Sequence, residues 1–177
     1  MVASSFSDVS GLGLPLLGAL PGPVAEDLAE TPETLRTPEI TQLAASLGGK
    51  PLALYNHVHD KHQPELYYGS KKGAAATLAE GAGNDFDQSS LLIALLRASN
   101  IPARYEYGTV RLSLSQAESL TGAKDAQTAA FLLTQSGIPA GVGEGGTTVL
   151  TERAWVRAYV PYSEYRGTGQ GGDSVWV

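Results

Sequence analysis

The chain contains no cysteine in its 177 residues. That absence excludes disulfides, thiolate metal sites and a thiol nucleophile, and it leaves the redox compartment open. Charge is also sparse: 17% of residues are Asp, Glu, Lys or Arg, with a formal net charge of −6. Basic residues are scattered and Lys71-Lys72 is their only adjacent pair. A phosphate backbone requires a concentrated cationic surface, so this distribution argues against a nucleic-acid partner. No apolar run reaches the roughly 18 residues that would suggest a membrane-spanning helix. What remains is a chain of one-domain size, 42% hydrophobic, with the composition of a globular protein.

The first 36 residues differ from the rest. MVASSFSDVSGLGLPLLGALPGP is rich in Ser, Gly and Pro, no basic residue precedes its apolar part, and Pro15 and Pro21 interrupt it. This is not the pattern of a signal peptide. Residues 1–36 therefore read as an extended arm or linker whose Leu12, Leu14, Leu16 and Leu17 can lie along the domain as a bound peptide would. The expectation is a piece cut from a longer polypeptide.

The most informative stretch runs from Gly83 to Arg104, GNDFDQSSLLIALLRASNIPAR. Leu91 to Leu96 is apolar on every side, which marks a helix buried inside a domain rather than lying on its surface. Asp85, with Gln88 three positions later, signals the start, and Asn100 followed by Pro102 signals the stop. A second copy of that stop occurs at Leu132–Ala140, where Gly137 replaces Asn100. Two copies do not make a repeat protein, and cap chemistry alone accounts for the likeness.

Around this helix the signals continue. Thr37 before Pro38 is an N-cap pattern and Gly48-Gly49 a stop, with another helix from Pro51 to His59. Ala103 to Leu112 has strand composition, with Gly108 as a bulge. A helix follows over about Ala126 to Gln135, then strands at Thr147–Leu150 and Arg153–Val160.

The order loop, central helix, sharp turn, strand, carried by DFDQSSLLIALLRASNIPAR, resembles the core of the transglutaminase-like superfamily, a papain-like fold. TPEITQLAASLGG and LYNHVHD are similar to its leading helices, YYGSKKGAAATL to its approach to the core, and RAWVRAYVPYSEYRG to its HVWVEAYVP strand. The resemblance implies an α+β fold in which the central buried helix packs against an antiparallel sheet, with additional N-terminal helices. The domain would span 37–177 and be truncated at its C-terminus, since the chain ends at Trp176-Val177 before the family's third catalytic residue, an Asp. It also places Asp85 at the position of the nucleophilic cysteine and Arg153 at that of the histidine.

A thiolate at a helix N-terminus is favoured by unpaired N–H groups and the helix dipole, and a histidine completes its activation. Asp85 keeps the anion preference of that position without the soft nucleophile. Arg153 cannot act as a base because its guanidinium stays protonated. The expected outcome is an Asp85–Arg153 ion pair, with Asp85 also capping the helix.

Two weaker metal patterns are present. In His57-x-His59-x-x-His62 only His59 and His62 would share a helical face, and Asp85-x-Asp87 offers oxygen ligands for a hard cation. Family placement instead makes Asp87 a structural hydrogen-bond acceptor. Tyr67, Tyr68, Trp155, Tyr159, Tyr162 and Tyr165 are candidates to line the remnant groove, with core packing the alternative for each. No cofactor is implied.

Two functions compete. One is a catalytically degenerate transglutaminase-like domain that binds a protein or peptide, its own arm and an adjacent domain among the candidates, inside a larger secreted or surface protein of bacteria. The other is an acyl-transfer or hydrolytic enzyme with Asp85 as base and Arg153 stabilising an oxyanion. A carboxylate base needs burial that disfavours its charge, whereas a helix N-terminus and a nearby arginine favour it, so the second reading is the weaker.

Overall fold

The computed structural model describes residues 21–161 and 174–177. Tyr162, Tyr165 and the leucines at 12, 14, 16 and 17 lie outside the described residues. In chain order the elements are helices α1 (Pro38–Ser46) and α2 (Pro51–Lys61), strand β1 (Gln63–Pro64), α3 (Gly73–Glu80), β2 (Ala82–Gly83), α4 (Asp85–Ala98) and β3 (Ala103–Ser113). Then come α5 (Leu114–Thr121), α6 (Ala126–Gln135), β4 (Ala140–Val142), β5 (Thr148–Pro161) and β6 (Ser174–Trp176). The fold is α+β, with a central helix on an antiparallel sheet, as the resemblance implies. No helix among the described residues is long and apolar enough to cross a membrane.

The sheet is built around β5. It pairs antiparallel with β3 along its length on one side, while β4 and β6 pair with its two ends on the other. Thr148 to Pro161 is one continuous strand, not the two expected, because β3 is long enough to hold its register without a break from Ser113 opposite Thr148 to Ala103 opposite Ala158. Gly108 stands directly opposite Arg153 in this ladder and is no bulge. Its missing side chain has another use: a Cβ there would come within 3.3 Å of the Trp155 ring.

Helix α4 occupies the middle. Leu91, Ile93, Ala94, Leu95 and Leu96 are buried and pack with Ile40, Leu54 and Val58 of the leading helices and with Ala103, Ala158 and Val160 of the sheet. Burial of a leucine-sized side chain contributes roughly 1.5–3 kcal/mol, which makes this cluster the main stabilising unit. A second cluster gathers Ala117, Ala129, Leu133, Ile138 and Val149 where α5 and α6 meet the other end of the sheet. Helix α5 had no counterpart in the sequence reading. Its capping box, Ser113 with Gln116, is nevertheless written in the residues, the side chain of each bonding the backbone amide of the other.

Both α4 and α6 end in the same left-handed cap. Asn100 has φ 57° and Gly137 φ 82°. The next residue donates back across the cap in each case, Ile101 to Leu96 at 2.9 Å and Ile138 to Leu133 at 3.0 Å. These are Schellman bonds, and they turn the chain sharply into a strand.

Residues 25–36, the last third of the segment read as an arm, carry two 3-10 turns at Ala25–Asp27 and Pro32–Thr34. Arg97 of α4 holds them. Its buried guanidinium donates to the carbonyls of Asp27 at 3.0 Å and Ala103 at 2.8 Å, to the hydroxyl of Thr34 at 3.2 Å, and to the carbonyl of Ala29. No carboxylate among the described residues accepts from it, and burial lowers its proton affinity. Carbonyl dipoles therefore stabilise this charge and fix the chain that carries them.

Candidate functional site

The start of α4 is set by Asn84, one residue before the expected cap. Asn84 Oδ1 accepts the Asp87 amide at 2.9 Å, and its amide group donates to the carbonyls of Tyr67 at 2.9 Å and Gly69 at 2.8 Å. Gln88 does not complete a capping box, because its side chain donates to the carbonyls of Gly83 and Gln63. Asp85 is thereby free to point at the sheet. Its Oδ2 accepts the amide of Ala154 at 2.8 Å and lies 3.7 Å from Arg153 Nε. The two side chains are only 15% and 17% exposed, so this contact is shielded from solvent more than a surface ion pair. Arg153 Nη1 is buried with no hydrogen-bond partner among the described residues.

Asp87 serves a different purpose. It is fully buried and receives five donors: the Tyr67 hydroxyl at 2.6 Å, the Ser70 hydroxyl, and the amides of Lys71, Lys72 and Gly73. Burial pushes its carboxyl up, but these hydrogen bonds together outweigh it, and the group lies below the ordinary aspartate range. The same burial, reinforced by Asp87, pushes the Tyr67 hydroxyl up to about 12. Gly73 takes part because its φ of 66° turns the amide inward, and a Cβ there would press on the Glu33 carbonyl at 3.1 Å. Asp87 and Tyr67 are thus a lock between α4 and the 67–73 loop. With the Asp87 oxygens facing internal donors, Asp85-x-Asp87 does not form a cation site, and Asp87 is the structural acceptor that family placement implied.

Of the other aromatic candidates, Tyr68 and Trp155 are exposed. Tyr68 packs edge-on to Phe86 at 6.1 Å, and Phe86 in turn meets Tyr107 at 5.8 Å. The hydroxyls of Tyr68 and Tyr107 are 3.1 Å apart, and Tyr107 donates to the Glu152 carboxylate. That carboxylate, and then Tyr68, hold the Tyr107 hydroxyl well above the usual phenol range. Tyr68, Tyr107 and Trp155 are 44%, 47% and 41% exposed. Tyr107, opposite Ala154, shares one face of the sheet with Tyr68, whereas Trp155 stands on the other face with Arg153 and Gly108. Phe86, Tyr107 and Glu152 were not singled out from the sequence, because only the β3–β5 register brings them together. Tyr159 meets Trp176 at 5.4 Å with the ring planes tilted by 57°, and Arg104 lies on the Trp176 ring, so Tyr159 belongs to the β5–β6 end.

The histidines do not gather as expected. His62 lies one residue beyond α2 and turns back to His57, ring centroids 5.7 Å apart, while His59 bonds Asp60 and stacks on Tyr55. The helix ends too early for His59 and His62 to share a face. No group of three or more His, Asp or Glu among the described residues is arranged to hold a metal.

A family model of the transglutaminase-like superfamily matches residues 36–176. The chain belongs to the transglutaminase-like superfamily. No curated protein matches it. Among solved structures it is similar to a candidate cysteine protease from Cytophaga hutchinsonii, with 21% identity and a TM-score of 0.49. The match covers 82% of this chain and 41% of that one, so this domain spans under half of that protein's length.

Proposed function

We propose that this transglutaminase-like domain is catalytically degenerate and acts as a protein- or peptide-binding module of a larger bacterial protein. The observation that carries the reading is the Asp85 carboxylate, which bonds the Ala154 amide and sits beside Arg153 at the end of α4 where superfamily members place a thiol–imidazole pair. A carboxylate held by an amide and a guanidinium is neither a soft nucleophile nor a base poised to take a proton, and a guanidinium cannot return one to a leaving group. The exposed Tyr68 and Tyr107 on one face of the sheet, and Trp155 beside Arg153 on the other, supply amphipathic contact area that suits an extended peptide. The absence of clustered basic residues favours protein over nucleic acid as partner.

The test pairs an assay of turnover with one of binding. Incubation with acyl-donor and acyl-acceptor peptides should release no ammonia and form no cross-link. Binding of an extended peptide library should weaken when Tyr68 and Trp155 are changed to serine. Turnover by the native chain that disappears in Asp85→Ala would overturn the proposal.

A further inference from the structure

Strand β3 is an outer strand: β5 lies on one side and, among the described residues, no strand lies on the other. The amides of Glu152, Ala154 and Ala158 in β5 bond Pro139, Asp85 and Val177, so even-numbered β5 residues turn their amides away from β3 and odd-numbered ones turn them towards it. The register partners of the odd set, Arg104, Glu106, Gly108 and Val110, therefore face inward. Antiparallel alternation then directs the backbone groups of Tyr105, Tyr107, Thr109 and Arg111 outward. At the ends of the strand the outward groups are already engaged, the Ala103 carbonyl by Arg97 and the Ser113 amide by Gln116. Tyr107, Thr109 and Arg111 remain exposed along an edge that has neither proline, lysine nor bulge. Proteins commonly use those devices to keep such an edge from pairing.

We propose that this edge pairs with β3 of a second copy of the chain, antiparallel about a two-fold axis at Thr109. The charges and the occupied groups select that register. An axis at Arg111 would set two arginines opposite each other, a destabilising pair. An axis at Tyr105 or Tyr107 would bring the second strand against Ala103, where Arg97 and the 25–36 segment already sit. With the axis at Thr109, Tyr107 lies opposite the second copy's Arg111, and the outward groups of 107, 109 and 111 form a continuous ladder. Neither Arg111 nor Glu152 has an oppositely charged partner within its own chain among the described residues. Glu152 stands across the ladder from Thr109 and accepts the Tyr107 hydroxyl, so the arginine arriving opposite Tyr107 approaches that carboxylate. The two-fold axis repeats the contact, which makes the edge self-complementary.

Sedimentation velocity of the full 177-residue chain from micromolar to millimolar concentration tests this. A reversible dimer is expected. Thr109→Pro removes an outward amide that has no partner among the described residues, so folding measured by urea should be unchanged while association weakens by about tenfold or more. Arg111→Glu and Glu152→Arg should each weaken the dimer, and the double variant should recover it. A chain that stays monomeric at millimolar concentration overturns the proposal, as does a dimer indifferent to these substitutions. A monomer whose amides at 107, 109 and 111 resist hydrogen exchange does so too, since something other than a second copy then covers the edge.

Discussion

Asp85 Oδ2 accepts the amide of Ala154 at 2.8 Å, joining the first turn of the central helix to the middle of β5 by a side-chain bond where, among the described residues, the sheet has no strand. The ladder partners β4 and β6 reach only the ends of β5 on that side, and the carboxylate stands in for a neighbouring strand. Asp85→Asn keeps an acceptor for this amide and should cost under about 1 kcal/mol. Asp85→Ala leaves a part-buried N–H without its bond and should cost roughly 1–3 kcal/mol. Urea denaturation of both variants separates the hydrogen bond from the charge. Equal losses would show that proximity to Arg153, not the amide bond, is what matters.

The Asp87 lock should dominate acid behaviour. Its folded carboxyl titrates below the ordinary value of about 3.9 while the unfolded one does not, so its contribution is complete above that value. It is lost as pH falls through the lower folded value. Wild-type stability should therefore drop as the pH is lowered below about 4, and Asp87→Asn should be less stable at neutral pH with a shallower acid slope. A variant with the wild-type slope would place the acid sensitivity elsewhere.

Much of this architecture is legible in local chemistry. The apolar run from Leu91 to Leu96, the proline-led starts of α1 and α2, and the twin caps at Asn100 and Gly137 each encode their element in adjacent residues. The Asp85–Arg153 contact was reached only through resemblance to a family, because no spacing rule joins residues that far apart. What escaped depended on tertiary competition. Asn84 won the cap because it could also bond the Tyr67 and Gly69 carbonyls, which freed Asp85 for the sheet. The 3-10 turns of residues 25–36 escaped because their anchor, Arg97, sits in a helix whose pattern gives no hint of carbonyl partners sixty or more residues away.

His62 should impose a second, higher pH dependence. Burial, and then His57, lower its proton affinity in the folded chain, and both ring nitrogens are buried without a partner among the described residues. As pH falls past the unfolded histidine value of about 6.5, the unfolded chain takes up this proton first, and stability declines until the lower folded value is reached. Above about 6.5 the penalty is absent. His62→Phe should flatten the stability profile between neutral pH and the acid transition, as read by urea midpoints in a pH series. An unchanged slope would assign it to another group.

Arg97 offers the clearest separation between a charge that stabilises and one that merely packs. Replacing it with methionine preserves much of the stem volume but leaves the carbonyls of Asp27, Ala29 and Ala103 without their donor. Unpaired buried acceptors cost about 1–3 kcal/mol each, partly relieved where water can enter, so a net loss of roughly 3 kcal/mol is expected. Lysine keeps the charge but not the planar fork that reaches several carbonyls at once, and it should recover only part of that loss. The decisive readout is local: in Arg97→Met, limited proteolysis should cut between residues 25 and 36 well before the rest of the domain. If that segment stays protected, its contacts with α3 and α4 hold it without the guanidinium.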